Sequence, residues 1–323
     1  MYESVPLPSG APQDAESLRQ SLRSWLCSSP IIDLVNSFGG TFPNGDGLAV
    51  CDYLEHFTAE HWDFRAGRER NQATEAELTS DQEQLVIQAA HALGMVEPQP
   101  PQYESFDTIL VLGGLVRACI LRPAMAARLL HQGTRAREVI ALGGMRALVG
   151  DEESILTSLG WQNLDTEFDV MDRGIREAFH VKDYSTREGS VDQSDLNRSW
   201  AITTYESDSL SLRVVAAPST DPQSRRANTA DTYAFWATEL RSGAQSARAL
   251  LITTSIYVPF QHCDAIRMLT MPFGIEVETV GLNTASADIP PALRQDFLPQ
   301  HYLQELRSTI RSIHSLLGVI AES

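Results

Sequence analysis

Two short apolar runs, Asp107 to Leu112 (DTILVL) and Glu138 to Leu142 (EVIAL), each stop at a pair of glycines. The echo extends further, because Val111-Leu112-Gly113-Gly114-Leu115-Val116-Arg117 is answered by Ala141-Leu142-Gly143-Gly144-Met145-Arg146, each pair leading to an arginine. Continuous apolar runs rich in branched residues suit strands covered on both faces. Between them Leu121 to Leu130 reads as a helix with Pro123 in its first turn, where a missing N–H does no harm. Strand, helix and strand in this order predict a parallel pair, and both glycine turns then lie at the carboxyl ends of their strands, where open α/β sheets bind ligands. Glycine there lets backbone N–H groups approach an anion, and Arg117 and Arg146 add planar, permanently charged donors. A lone Gly pair would simply turn the chain; two in register favour a binding site.

The same rhythm continues downstream. Helices are predicted from Thr166 to Phe179 and from Thr229 to Leu240, a β-hairpin from Trp200 to Val215, and strand, helix and strand at Ala249 to Thr254, Phe260 to Leu269 and Ile275 to Val280. The fold class is therefore α/β, a Rossmann-like, mainly parallel sheet with helices on both faces and an antiparallel addition. Residues 1–100 read as a helical N-terminal region. Leu18, Leu22, Trp25 and Leu26 form one stripe, and a second helix is capped by Ser80 with Glu83 reaching back, ending near Gly94. Between them lie a polar loop, Pro43 to Gly47, and a charged segment with Trp62, Arg65, Arg68 and Arg70, whose arginines read as a solvated face rather than a ligand site. Prolines 98, 100 and 101 mark a boundary, so the sheet domain is assigned to residues 105–285. A final helix in 290–323 places Leu303, Leu306, Ile310, Ile313, Leu317 and Ile320 at steps of three and four. This stripe suits docking onto the sheet, with a homodimer seam as the alternative.

Composition narrows the function classes. A formal charge of −17, from 42 acidic against 25 basic residues, would repel a phosphate backbone or an anionic membrane surface, so neither nucleic acid nor membrane is an expected partner. No run approaches the roughly 20 apolar residues of a membrane span and the start lacks a leader pattern, which predicts a cytoplasmic protein. Cys27, Cys51, Cys119 and Cys263 are scattered, and His56 and His61 sit off a shared helical face, so neither disulfides nor a metal site is expected. The glycine turns lack the third glycine of a dinucleotide fingerprint, and neither a P-loop nor a GxSxG turn is present, which disfavours NAD, P-loop hydrolysis and serine-hydrolase chemistry.

The segment from Phe106 to Leu282 resembles the YdcF/ElyC/SanA-like family. The motifs that carry the likeness are Ile109 to Gly114, Ile140 to Gly144, Thr166-Glu167-Phe168, Asn228-Thr229-Ala230-Asp231-Thr232 and Ile252 to Phe260. Asp231, Thr232, Tyr257 and Phe260 depart from that family's Glu, Asn, His and Arg, which alters a charged part of its pocket. The resemblance implies a Rossmann-like fold and an S-adenosylmethionine or nucleotide-like ligand.

Read from chemistry, Glu167 begins a helix, where the dipole favours a carboxylate; as a functional group it could accept a ribose hydroxyl or an ammonium. Asn228 and Thr229 precede a helix and could cap it or meet a ligand, and Asp231 could orient water or a ligand hydroxyl. Glu167 and Asp231 are the candidate acid/base residues. Arg225 and Arg226 could hold a carboxylate or phosphate, Thr253 and Thr254 end a strand at the binding edge, and Tyr257 could stack on a purine or fill the crossover. The expected function is binding of S-adenosylmethionine or a nucleotide-like small molecule; if the protein is an enzyme, it is expected to be a transferase or hydrolase without metal. The alternatives are a non-catalytic interaction module with a vestigial pocket and a biosynthetic enzyme on an amino-acid-like substrate.

Overall fold

The computed structural model describes residues 2–64, 77–192, 194–207, 210–241 and 247–322. Among the described residues the chain opens with four helices, α1 (Ala15–Leu26), α2 (Ser29–Ser37), α3 (Gly47–His61) and α4 (Ser80–Ala92). It continues through β1 (Ser105–Leu112), α5 (Val116–His131), β2 (Arg135–Gly143), α6 (Glu152–Ser158) and α7 (Glu167–Phe179). Three strands follow, β3 (Thr186–Ser190), β4 (Trp200–Ser207) and β5 (Leu210–Ala216), then α8 (Thr229–Phe235), β6 (Arg248–Thr254), α9 (Val258–Ala265), α10 (Met271–Phe273), β7 (Glu276–Leu282) and α11 (Pro299–Glu322).

The seven strands lie in the order β3-β4-β5-β2-β1-β6-β7. β5, β2, β1, β6 and β7 pair in parallel, while β4 runs antiparallel to β5 and β3 to β4. The mainly parallel α/β fold and its hairpin addition are thus as expected. Strand pleating divides each buried strand between two cores. Leu110 and Leu112 join one face with α8, α9, α11 and the N-terminal helices, whereas Ile109 and Val111 join the other with α5, α6 and α7. β2 lies on one side of β1 and β6 on the other, so the connection reverses between β1 and β6. Such a reversal opens a crevice beyond the carboxyl ends of the strands.

The stripe on α11 is taken up inside the chain: Leu303, Leu306, Ile310 and Ile313 have no exposure, and they share one apolar cluster with Leu22, Leu54, Val86 and Leu251. The N-terminal helices therefore pack into the same core as one sheet face. The residues preceding α1 close the outer edge of β7, where Val277 donates its N–H to the Gly10 carbonyl at 2.9 Å. Beneath them His262 is buried, with Nε2 2.8 Å from the Pro8 carbonyl and Nδ1 3.1 Å from Thr279 Oγ1.

Three local readings change. The cap of α4 is Thr79 with Gln82, one residue before the expected Ser80 and Glu83; both windows fit the capping pattern, and Gln82 is fixed because its amide also donates to the Ser37 carbonyl at 3.0 Å. α5 begins at Val116, so Pro123 lies inside it, and the Cys119 carbonyl, left without the N–H that Pro123 lacks, faces the close approach of Gly174 on α7. The helices after Asn228 and Tyr257 end in π-helical turns, Trp236–Leu240 and Ile266–Thr270. Trp62 is fully buried, and Arg65, Arg68 and Arg70, expected on a solvated face, lie outside the described residues.

Candidate functional site

β1 and β2 are in register from Ser105 opposite Arg135 to Leu112 opposite Leu142, which brings both glycine turns to the same rim. The gap between them is filled. Glu167, at the first position of α7, extends its carboxylate into it, and Oε1 accepts the Gly114 N–H at 3.0 Å. A Cβ on Gly113 would overlap both this oxygen and the Leu142 carbonyl, so only glycine fits. The anion held by the turns is the chain's own.

Arg146 clamps this arrangement. Its Nε donates to Glu167 Oε2 at 2.9 Å, its two terminal nitrogens donate to Glu152 at 2.7 and 2.9 Å, and one of them also reaches the Gly114 carbonyl at 2.9 Å. Glu152, 1% exposed, accepts the N–H groups of Val116 and Val149 as well, each at 2.8 Å. Burial opposes ionisation of Glu152, but Arg146 and these donors outweigh it and hold the carboxyl below its ordinary value. For Glu167 burial prevails over Arg146, the Gly114 N–H and nearby Arg226, and its carboxyl is pushed above the ordinary value.

Over this floor opens a cleft of about 580 Å³. Gly113, Gly114, Gly143, Gly144, Arg146, Glu167, Arg226, Asn228 and Thr229 line it, together with Thr232, Phe260 and Gln261. On the other side of Gly114, Leu115 and Arg122, at the reversal between β1 and β6, lies a smaller chamber of about 160 Å³. Arg117, Thr254 and Tyr257 face this chamber, so the expected site residues fall into two adjoining spaces.

Three expected residues line neither. Asp231 accepts from Arg225, from the Thr220 hydroxyl and N–H, and from the Asn228 N–H; these bonds outweigh burial and bring its carboxyl down to about 2. Asp231 and Arg225 thereby fasten the loop before α8, with Asn228 and Asp231 forming its capping box. Thr253 is fully buried within β6.

Arg122 and Glu152 were missed. Arg122 is 3% exposed, donates to the Leu112 and Gly113 carbonyls and to Thr254 Oγ1, and ties the ends of β1 and β6 together. Its signal was available, because it falls three residues after Cys119 on the buried side of α5; placing the helix start at Leu121 hid it. Glu152 offered no signal, since its partner Arg146 becomes visible only in the folded rim.

Residues 9–94 match the model of the Rv3785 N-terminal domain. The chain is also 32% identical, over 97% of its length and 93% of the relative's, to the uncharacterized protein Rv3785 of Mycobacterium tuberculosis, and equally to the uncharacterized protein Mb3814 of Mycobacterium bovis. The chain belongs to the Rv3785 family. Membership of the Rv3785 family, which spans the helical start and the sheet together, overturns the likeness to YdcF/ElyC/SanA-like proteins. That likeness rested on short motifs common to strand ends and helix caps, and the structure gives several of them local duties: Asp231 anchors a loop and Asn228 caps α8. No solved structure matches the chain. Among the described residues, no helix is long and apolar enough to cross a membrane, and no three His, Cys, Asp or Glu side chains are grouped to hold a metal ion.

Proposed function

We propose that the protein binds a small ligand of S-adenosylmethionine or nucleoside type at the carboxyl rim of the sheet, with Glu167 receiving a cationic or hydrogen-donating group. The observation that carries this reading is the Glu167 carboxylate between two glycine turns, on the floor of an open cleft. Arg146 serves two carboxylates, so a ligand ammonium or hydroxyl finds residual acceptor character there. Arg226, which also lines the cleft, suits a carboxylate, and the two together suit an amino-acid head group. A phosphate in the gap is disfavoured, because Glu167 already occupies the anion position. This geometry refines the expected nucleotide-like ligand towards one without a phosphate at the turns.

Chemistry beyond binding, of transferase or hydrolase type, would fall to Glu167, whose raised carboxyl suits proton exchange better than the strongly acidic Asp231. The engagement of Asp231 favours a second reading, a non-catalytic binding protein. A thermal-shift panel of S-adenosylmethionine, methionine, nucleosides and sugar phosphates tests the proposal, since a ligand specific for the folded state raises Tm. S-adenosylmethionine or a component of it should raise Tm in the parent protein and fail to do so in Glu167→Gln. Stabilisation by sugar phosphates alone would refute it.

A further inference from the structure

We infer that the first turn of α9 carries the recognition element for a nucleobase, with Phe260 as the stacking platform and Gln261 as the reader of an edge that sets a donor beside an acceptor. The inference rests on the binding role proposed for the rim and names the part of the ligand that Glu167 does not meet. α9 follows β6 after one short turn, Ser255–Tyr257, and β6 adjoins β1, so the start of α9 stands at the same rim as the glycine turns. Phe260 and Gln261 line the cleft of about 580 Å³ together with Gly114 and Glu167. That volume falls within the roughly 300–1,000 Å³ of small-molecule sites.

Neither residue is used by the fold as its neighbours are. Ile256, Cys263, Ala265 and Ile266 join one apolar cluster, and half-buried Tyr257 packs against it, whereas Phe260, also half-buried, belongs to neither cluster. An aromatic side chain that borders a cleft without joining a core leaves surface on which a flat ring stacks. Gln261 is 6% exposed, and its Oε1 is buried without a hydrogen-bond partner. An acceptor left unmet in this way is costly, and a ligand that brings a donor removes the cost. The last torsion of a glutamine is broad, so the amide can turn to set its acceptor and donor side by side towards the cleft. That pair complements an amino group beside a ring nitrogen, as in adenine. The two residues select together: an aliphatic chain covers Phe260 and leaves the amide unmatched, a lone hydroxyl meets one side of the amide only, and an aminated base satisfies both. The helix behind them is fixed, because His262 is held by the Pro8 carbonyl and Thr279, so the platform is formed before the ligand arrives. The rest of the cleft, with Glu167 and Arg226, receives the polar substituent.

The test measures binding of adenosine, of purine riboside, which lacks only the exocyclic amino group, and of methionine, by calorimetry, to the parent protein and to Phe260→Leu, Gln261→Met and Glu167→Gln. Adenosine should bind the parent about tenfold more tightly than purine riboside, because the amide of Gln261 meets a donor in one and not in the other. In Gln261→Met that preference should vanish, while Phe260→Leu should weaken both nucleosides about tenfold and keep it. Methionine binding should stay within about twofold in both α9 variants, which lie away from its head group, and fall in Glu167→Gln. If Phe260→Leu lowers the Tm of the free protein, the preference lost in Gln261→Met decides. Adenosine binding with the preference unchanged in Gln261→Met, or methionine binding without adenosine binding, overturns the assignment of α9 while leaving the rim reading intact. Binding of none of the three compounds overturns both.

Discussion

Glu167 Oε1 lies 3.0 Å from the backbone nitrogen of Gly114, across 53 positions of sequence. The bond joins the start of α7 to the turn after β1 and makes the carboxylate part of the backbone geometry of the rim. Sequence spacing implied an anion at the two turns, and the structure supplies it internally. The following outcomes are expected.

The two turns differ in their tolerance of a side chain. Gly113→Ala forces a methyl group into Glu167 and the Leu142 carbonyl and should cost about 1–3 kcal/mol, the range of overpacked sites. At Gly144 the nearest atom to an added Cβ is Glu167 Oε2 at 3.6 Å, so Gly144→Ala should change stability by less than about 0.5 kcal/mol. Urea unfolding of the two variants compares them directly.

Arg146 stands between two buried carboxylates, with side-chain exposures of 10% for Arg146, 1% for Glu152 and 12% for Glu167. Arg146→Met leaves both uncompensated and should cost about 3–5 kcal/mol. Adding Glu152→Gln should restore part of the loss, because one of the stranded charges disappears. A double variant no more stable than Arg146→Met would mean that the arginine acts through packing alone.

His262 gives the N-terminal segment a pH dependence. The Pro8 carbonyl can only accept, so Nε2 carries the proton and Nδ1 accepts from the Thr279 hydroxyl. Burial holds the imidazole below its ordinary value of 6.5. The unfolded chain then binds the extra proton more readily, and the stabilisation is complete above pH 6.5 and declines as pH falls through the lower folded value. His262→Gln should flatten this part of the stability profile, and limited proteolysis of the parent at pH 5 should cut first before α1. An unchanged profile in the variant would assign the dependence to other groups.

Ile310 is fully buried in the cluster shared by α11, the N-terminal helices and one sheet face. Ile310→Ala should cost about 2–5 kcal/mol and move a single cooperative transition, visible alike by circular dichroism and by tryptophan fluorescence from Trp25 and Trp62. Separate transitions would indicate that the helical start unfolds independently.

The sheet was legible because its strands are short apolar runs with hard stops: Gly113-Gly114 and Gly143-Gly144 end β1 and β2, and the length between these two strands leaves room for only one crossover helix. The rim was legible for the same reason. Boundaries were less so, since Pro123 suggested a helix start where the structure tolerates it inside α5, and Thr79 competed with Ser80 for the cap of α4. The electrostatics of the site could not be read. Arg146, Glu152 and Glu167 meet only through tertiary packing, and no local pattern reveals that an arginine placed to bind a ligand anion is committed to two carboxylates of its own chain. Arg225 and Asp231 were assigned to a pocket from which the loop before α8 turns them away.

The most direct measurement is a crystal structure of the protein grown with S-adenosylmethionine or adenosine at saturating concentration. The expected result is ligand density at the rim, with a donor group on Glu167. Ligand bound elsewhere on the molecule, or an empty rim under conditions where calorimetry records binding, would contradict the assignment of the site.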